Sequence, residues 1–287
     1  MNEYILTLTC PDRPGIVHAV SGLLFDLNSN ITEAAQYNDP DSGLFFMRVQ
    51  FSHAPQGEGS PSSDGRIRQA LTDLAARFSL QWQLSPAGEK LPTLIMVSKQ
   101  GHCLNDLLFR AQTGLLPIDV RAIISNHEDF RALAETHRIP FYHTPMGSQD
   151  KAEVEARQLD IIERSGARLV VLARYMQILS DDMCRQLQGR AINIHHSFLP
   201  SFKGARPYHQ AHRRGVKIIG ATAHYVTPDL DEGPIIEQDV ERVDHAMNAT
   251  RLTAIGADIE SLVLARAVKW HAEHRVLLDG NKTIVFR

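Results

Sequence analysis

Cysteine is scarce in this sequence. The chain has three cysteines, Cys10, Cys103 and Cys184, and they lie far apart. This odd and widely spaced set makes neither a disulfide framework nor a Cys-x-x-Cys metal site, so we expect a reducing, cytoplasmic setting. No apolar run reaches the roughly 18 residues that a membrane span needs. The first residues lack a basic stretch before a long apolar core, and we expect no signal peptide.

An excess of positive charge is also missing. The 30 Lys+Arg residues are outnumbered by 33 Asp+Glu, which gives a formal net charge of −3. Proteins that bind duplex nucleic acid usually carry a basic excess, so we expect no nucleic-acid partner. What the chain does have is length and apolar content: 287 residues, 43% of them hydrophobic, are enough for about two domains with their own cores.

The first part of the chain predicts a ferredoxin-like domain. Strand-forming runs and helical apolar spacing alternate in the order βαββαβ within about 85 residues. The predicted strands cover residues 4–9, 31–37, 44–51 and 80–84, and the predicted helices cover residues 16–27 and 67–78. Residues 53–65, rich in Gly, Pro and Ser, predict a mobile loop. The predicted boundaries are a domain over residues 1–84, a linker over residues 85–91 and a second domain over residues 92–287.

The second domain alternates buried-strand runs with amphipathic helices. Continuous apolar strands in this order are typical of a parallel α/β sheet with a Rossmann-like winding. The predicted strands lie near residues 94–97, 120–125, 169–173, 191–194, 221–226 and 235–240, and a long helix near residues 248–273 closes the domain.

The densest polar stretch, residues 193–204, follows the strand at Ala191 and Ile192. Ligands of open α/β sheets bind at the carboxyl ends of the strands. Asn193 and His195 are two residues apart, so both side chains point to the same side of a strand. A second polar loop carries Asp231, and Gly233 and Pro234, two and three residues later, give this loop an unusual backbone path. Taken singly, each of these residues is more often a turn or capping residue than a catalyst.

Fourteen histidines raise the possibility of a metal hydrolase. His209 and His212, and again His271 and His274, are at helical spacing. Neither pair has an obvious third ligand, and there is no His-Glu-x-x-His motif. We therefore expect no metal, and we interpret both pairs as solvated helix faces.

Three motifs in order make residues 90–287 resemble the formyltransferase family that uses 10-formyltetrahydrofolate. They are Asn193-Ile194-His195 followed by Ser197–Gly204 (SFLPSFKG), then Gly220–Thr227 (GATAHYVT) and Leu230–Ile236 (LDEGPII). The resemblance implies that Asn193, His195 and Asp231 are the catalytic trio.

The same resemblance implies a folate site. Residues 172–179 (LARYMQIL) match the segment whose backbone holds the pterin in that family, and residues 227–231 would line its other side. The implied substrate-binding residues are Arg174, Tyr175, Met176, Gln177, Ile178, Leu179, Gly204, His224, Thr227 and Leu230. His224 would lie on a strand beside the site without acting in catalysis itself. His196 either contacts the formyl acceptor or has only a packing role.

The N-terminal domain resembles an ACT domain, through Asp12-Arg13-Pro14-Gly15 and through Asn30-Ile31 after the first helix. ACT domains usually bind small amino acids, which implies a regulatory site at Asp12, Arg13, Pro14, Gly15 and Asn30. Glycine or methionine is the suggested effector, and a homo-oligomer is expected. A simple helix-start turn explains residues 12–15 equally well.

The turn after the first strand of the second domain favours water over an amine as the formyl acceptor. In the family's glycinamide ribonucleotide transformylases this turn is rich in glycine and holds a phosphate. Residues 98–103 (SKQGHC) keep one glycine, and His196 replaces the proline of the transformylase pattern.

We therefore expect hydrolysis of 10-formyltetrahydrofolate to formate and tetrahydrofolate without a cofactor, supplying formate for purine synthesis and balancing the one-carbon folate pools. In the expected mechanism Asp231 holds the water, His195 moves the proton and Asn193 donates to the oxyanion. Two alternatives stay open: formyl transfer to an amine, and an amino-acid sensor with an inactive enzyme domain.

Overall fold

The structure is a computed structural model that describes residues 2–54, 63–145, 147, 150–199 and 207–287. The chain forms two compact units. Unit 1 contains residues 1–89, 273–279 and 284–287, and unit 2 contains residues 90–272 and 280–283. The predicted mobile loop falls largely on residues outside the described ranges. No helix among the described residues is long and apolar enough to cross a bilayer.

Unit 1 has the predicted βαββαβ order. Its elements are β1 (Asn2–Pro11), α1 (Ile16–Asp26), β2 (Ser29–Asp39), β3 (Leu44–His53), α2 (Ser63–Phe78) and β4 (Gln81–Pro86). The four strands form an antiparallel sheet in the order β2-β3-β1-β4. Alternate β1 residues such as Leu6 and Leu8 are buried against Val20 and Leu24 of α1 in one apolar core. The period of two in the strand and of about four in the helix explains why these residues share that core.

The end of the chain adds two strands that the sequence pattern did not predict, β12 (Val276–Asp279) and β13 (Lys282–Val285). Leu277 and Phe286 pack against Phe46 of β3 in a small second cluster within unit 1. The predicted second domain ran to Arg287, so the grouping of residues 273–279 and 284–287 differs from it. The two strands are only four residues each, too short for a clear periodic signal.

Thirteen elements lie wholly within the described residues of unit 2. They are β5 (Leu91–Val97), α3 (His102–Gln112), β6 (Ile118–Ser125), α4 (Arg131–Thr136), β7 (Phe141–His143), α5 (Lys151–Ser165), β8 (Leu169–Leu172), α6 (Asp181–Gln186), β9 (Ala191–His195), α7 (Pro207–Arg214), β10 (Ile218–Tyr225), β11 (Ile235–Arg242) and α8 (Ala249–Ala272). Seven of these strands form one sheet in the order β11-β10-β9-β8-β5-β6-β7.

The sheet of unit 2 is parallel from β9 to β7, and β10 and β11 extend it in antiparallel fashion. The predicted mainly parallel α/β architecture is thereby confirmed. The four residues of β8 are all buried, as expected for a central strand that is covered on both faces. The segments after β5, β6 and β8 and the last residues of β9 meet at one edge of the sheet, where a ligand site is expected.

Candidate functional site

The three predicted catalytic residues converge in unit 2. Asn193 and His195 project from the end of β9, and Asp231 lies in the loop between β10 and β11. Nδ1 of His195 is 3.2 Å from Oδ2 of Asp231. The antiparallel register places His224 of β10 directly opposite Asn193, and the Asn193 amide nitrogen is 3.2 Å from Nε2 of His224. Four polar side chains from two strands and one loop thus form a single cluster.

Asp231 determines which nitrogen of His195 carries the proton. A carboxylate accepts hydrogen bonds, so Nδ1 of His195 donates to Asp231. Nε2 of the neutral ring is then left with its lone pair. This atom is buried and has no hydrogen-bond partner among the described residues, and the ring is only 6% exposed. His195 is therefore arranged to take or give a proton at Nε2.

Asp231 is held as a carboxylate. Burial raises the pKa of Asp231, but the hydrogen bond from His195 and the proximity of His224 more than offset this effect, and the pKa lies well below its usual range. Oδ1 of Asp231 is 3.7 Å from Nε2 of His224, too far for a direct hydrogen bond. One carboxylate oxygen therefore orients His195, and the other is available for a ligand.

His224 fixes the Asn193 amide. Nδ1 of His224 donates to the carbonyl oxygen of Tyr225 at 2.9 Å. In the neutral ring Nε2 is then an acceptor, and it takes one of the two amide hydrogens of Asn193. The second amide hydrogen of Asn193 remains for a ligand oxygen.

The Asp231 loop depends on an unusual backbone. Asp231 itself has φ +58°, in the left-handed region that aspartate tolerates better than most residues. A Cβ atom at Gly233 would lie 1.8 Å from the carbonyl oxygen of Tyr225. Only glycine permits this close approach of the loop to the end of β10, so Gly233 contributes to the position of Asp231.

The four side chains border a cavity of about 330 Å³, named here the catalytic cavity. Its lining includes the following predicted substrate-binding residues: Arg174, Tyr175, Met176, Gln177, Ile178, Leu179, His224, Thr227 and Leu230. Met176, Ile178 and Leu230 are 55%, 63% and 55% exposed, and such apolar side chains suit a flat aromatic ligand. The predicted residue Gly204 lies outside the described residues.

Sequence reasoning missed a second cavity of about 590 Å³ in unit 2, named here the polar cavity. Arg174, Met176, Gln177 and His196 line both cavities. The polar cavity also contacts the turn after β5, which carries Gln100, and the buried face of α8 at Glu260.

Glu260 is the centre of the polar cavity. Its carboxylate is 1% exposed and lies 2.7 Å from Nε2 of His102 and 3.3 Å from Nε of Arg174, while the hydroxyl of Tyr208 donates to it at 2.6 Å. Burial raises the pKa of Glu260, but the hydrogen bonds from His102 and Tyr208 and the charge of Arg174 lower it by more. The net effect is a lowered pKa, so Glu260 is ionised. The sequence contains one signal for this buried carboxylate. Glu260 lies on the apolar face of α8, four residues after Gly256 and three before Val263.

His102, Cys103 and Glu260 lie close enough together to suggest a metal site. Both oxygens of Glu260 are already in use by His102, Tyr208 and Arg174. Burial also raises the pKa of the Cys103 thiol and opposes the thiolate form that binds metals. With a fixed cation beside it, this cluster fits a hydrogen-bonded network better than a metal centre.

The other histidines differ in their surroundings. Burial, together with the charge of Arg174, lowers the pKa of His196 to about 4, so His196 is neutral at pH 7. His209 and His212 are exposed on α7, as expected. His271 is half-buried and its Nδ1 lies 2.7 Å from the hydroxyl of Tyr225, so for His271 the expected solvated face was wrong.

The predicted regulatory residues lie in unit 1. Asp12, Arg13, Pro14 and Gly15 form the connection from β1 to α1, where Gly15 caps the helix with φ +95°. Asn30 lies near the start of β2. The Arg13 guanidinium lies 4.4 Å from the ring centre of Phe78 and donates to the carbonyl oxygen of Arg77, so it is anchored to the end of α2.

Two family models match this chain. One described as formyl transferase covers residues 92–268, and one described as ACT domain covers residues 4–62. A formyltetrahydrofolate deformylase of Corynebacterium sp. is 51% identical over 285 residues, which cover 99% of this chain and 98% of the relative. The crystal structure of a formyltetrahydrofolate deformylase from Burkholderia mallei is 50% identical, with a TM-score of 0.94 and full coverage of both chains.

A transformylase is similar over a smaller part of the chain. The glycinamide ribonucleotide transformylase 1 structure from Symbiobacterium toebii has a TM-score of 0.67 at 27% identity, and the match covers 71% of this chain and 98% of that one. The deformylases therefore match the whole or nearly the whole chain, whereas the transformylase matches only part of it.

Proposed function

The chain belongs to the formyltetrahydrofolate deformylase family, and from this premise we propose that it hydrolyses 10-formyltetrahydrofolate to formate and tetrahydrofolate at the catalytic cavity. The observation that supports this location most directly is the 3.2 Å contact between His195 and Asp231, which leaves Nε2 of a buried histidine ready to exchange a proton.

The first step is the attack of water on the formyl carbon. Asp231 holds the water with the oxygen that does not contact His195, and Nε2 of His195 takes the proton as the new C–O bond forms. Negative charge develops on the formyl oxygen. The free amide hydrogen of Asn193 donates to that oxygen, a role that contributes roughly 2.7–4 kcal/mol per donor in other enzymes.

The second step breaks the bond between the formyl carbon and N10. His195, now an imidazolium stabilised by Asp231, delivers its proton to N10 as the C–N bond breaks. Tetrahydrofolate leaves with that proton, and the one-carbon product ionises to formate. Each residue of the cluster therefore ends in its starting state.

The polar cavity favours water over a phosphorylated amine as the acceptor. A phosphate needs free cations or backbone amides. Here the Glu260 carboxylate already engages His102 and Arg174. The single glycine of the turn after β5, Gly101, is covered by Phe130, whose ring would lie 2.3 Å from a Cβ at that position. Formyl transfer to such an amine is therefore the weaker candidate.

Unit 1 gives the proposal its regulatory part. The ACT domain suggests an amino-acid effector, and we place it at Asp12–Gly15 and Asn30. Strands β2 and β4 are the outer strands of the unit 1 sheet, and outer strands offer unpaired groups to a second copy, which supports a homo-oligomer.

The proposal also covers the metabolic role and the location of the protein: supply of formate for purine synthesis, balancing of the folate pools and a cytoplasmic location. The buried free thiols Cys10, Cys103 and Cys184 are compatible with a reducing compartment.

Substitution of the three cluster residues tests the site. His195→Asn and Asp231→Asn should lower the turnover of formate release by about 10²–10⁴, and Asn193→Ala by about 10²–10³. Fluorescence titration of tetrahydrofolate should show that the variants still bind the product. His212→Asn, on the exposed face of α7, is the control and should retain wild-type turnover. Near wild-type turnover in any of the three variants would remove that residue from the site.

A further inference from the structure

The unexplained feature next to the catalytic cavity is the side chain of Arg174, which lines both cavities. We propose that the polar cavity is a binding site for small carboxylates, with Nη1 of Arg174 as its anchor, and that it receives the formate formed in the neighbouring catalytic cavity. The carboxylate site stands on the geometry of Arg174; the identity of its ligand rests on the proposed function.

Arg174 is held in a single, costly arrangement. Its backbone has φ +62°, in the left-handed region that most side chains avoid, and only 7% of the residue is exposed. Nε and Nη2 both donate to the amide oxygen of Gln100, at 3.0 and 2.7 Å, and Nε also lies 3.3 Å from Glu260. Such anchoring leaves the guanidinium little freedom to turn.

One donor of this guanidinium remains unused. Nη1 is buried and has no hydrogen-bond partner among the described residues. A buried donor without a partner is costly, and more so on a charged group. A carboxylate satisfies it with a charge-assisted hydrogen bond. Gln100 engages Nε and Nη2, and Glu260 lies close to Nε, so Nη1 is the nitrogen of this guanidinium that no described residue engages.

The surrounding charges suit a small anion. The charged groups that line the cavity are Arg174, Lys99 and Glu260, so its described lining carries one positive charge in excess. Asn126 adds a polar donor: the hydroxyl of Ser98 donates to its Oδ1 at 2.7 Å, which leaves its amide hydrogens for another acceptor. Since Glu260 already compensates much of the positive charge, a monoanion fits better than a phosphate dianion.

The position of the cavity connects it to the reaction. His196 and Arg174 line both cavities, and His196 follows His195 directly in the chain. Formate formed at His195 is therefore close to a cationic group, Arg174, in the wall between the catalytic cavity and the polar cavity. A site there would hold formate apart from the pterin-binding surface, so formate and the folate substrate would bind at the same time.

Direct titration tests the site without the reaction. Saturation-transfer NMR and the line width of ¹³C-formate, with the folate-free full chain, should show binding in the millimolar range. Arg174→Gln should weaken this binding about tenfold or more, because a charge-assisted hydrogen bond is lost. Arg157→Gln, on an exposed face of α5, is the matched control and should bind as wild type. Asn126→Ala leaves the Arg174–Glu260 pair intact and should weaken binding by a smaller factor, which keeps the test valid if Arg174→Gln does not fold.

Steady-state kinetics provide the second readout. Formate should inhibit wild-type hydrolysis non-competitively with respect to 10-formyltetrahydrofolate, since both ligands bind together. Unchanged formate binding in folded Arg174→Gln and in Asn126→Ala, or purely competitive inhibition, would overturn the proposal. Formate binding that depends on Arg174 in a chain without hydrolase activity would support the carboxylate site and contradict the proposed function, whereas hydrolysis without formate binding would do the reverse.

Discussion

At the scale of single residues, the surroundings of each histidine matter more than the number of histidines. His195 and His196 are neighbours in sequence, and their ring centres are 5.0 Å apart. His195 has a carboxylate beside it, whereas His196 has burial and the charge of Arg174. The carboxylate beside His195 orients its ring, whereas burial and the charge of Arg174 lower the pKa of His196, so only the first of the two is arranged for proton transfer.

The pKa of His196 makes a prediction about stability. Its folded pKa of about 4 lies below the value of about 6.5 in an unfolded chain, so between these values the unfolded state binds more protons. Stability should therefore rise with pH from about 4 to 6.5 and be unaffected by His196 above that window. His196→Asn should remove part of this pH dependence, measured as the melting temperature at pH 5 and pH 7.5. An exposed control, His212→Asn, should follow wild type; a His196→Asn profile identical to wild type would contradict the prediction.

The sequence patterns pointed to some residues of the candidate site and not to others for a physical reason. Asn193, His195 and Asp231 lie in short polar motifs near strand ends. A polar residue there stands out from the apolar strand that precedes it. Glu260 lies in the middle of a long helix, and its role depends on His102 and Tyr208, which are far away in sequence. Local patterns do not report such long-range partners, so the polar cavity was not predicted.

At the scale of elements, the loop between β10 and β11 gives a direct prediction. In Gly233→Ala the added Cβ meets the Tyr225 carbonyl oxygen at 1.8 Å, so the loop must shift. Asp231, two residues away, moves with it. A misplacement of about 1 Å can cost about 10² in rate, and we expect a fall of that order in formate release.

Gly22→Ala is the matched control for that substitution. Gly22 lies in α1 and has no atom within 4 Å of an added Cβ. Alanine in a helix is usually stabilising relative to glycine, so this variant should keep wild-type turnover with an equal or higher melting temperature. Equal turnover in Gly233→Ala and Gly22→Ala would show that the loop does not position Asp231.

Long elements with clear periodicity were predicted well, and some short ones, such as β7 and α6, were missed. The strands of unit 1 and helix α8 lie close to the bounds that their apolar spacing predicted. The three residues of β7 and the six of α6 are too short for a periodic signal. Helix α6 instead depends on its start, where the Ser180 hydroxyl accepts a hydrogen bond from the Met183 amide.

At the scale of the whole molecule, the chain contains an ACT domain and a formyl transferase domain. If Asp12–Gly15 and Asn30 form an effector site, millimolar glycine or methionine should change the turnover and raise the melting temperature of the full chain. Asn30→Ala should reduce both effects, while Asn281→Ala, in the turn between β12 and β13, should not. A turnover and a melting temperature that neither amino acid changes would contradict an effector site.

The most direct test of the central claim follows the fate of the formyl group. The purified full chain is incubated with 10-formyltetrahydrofolate and glycinamide ribonucleotide in water enriched in ¹⁸O, and formate and the formylated amine are both quantified. We predict formate with one ¹⁸O atom from the attacking water, in an amount equal to the tetrahydrofolate formed, in wild type and not in His195→Asn. Formylated glycinamide ribonucleotide as the main product, or wild-type formate release by His195→Asn, would contradict hydrolysis at the His195–Asp231 site.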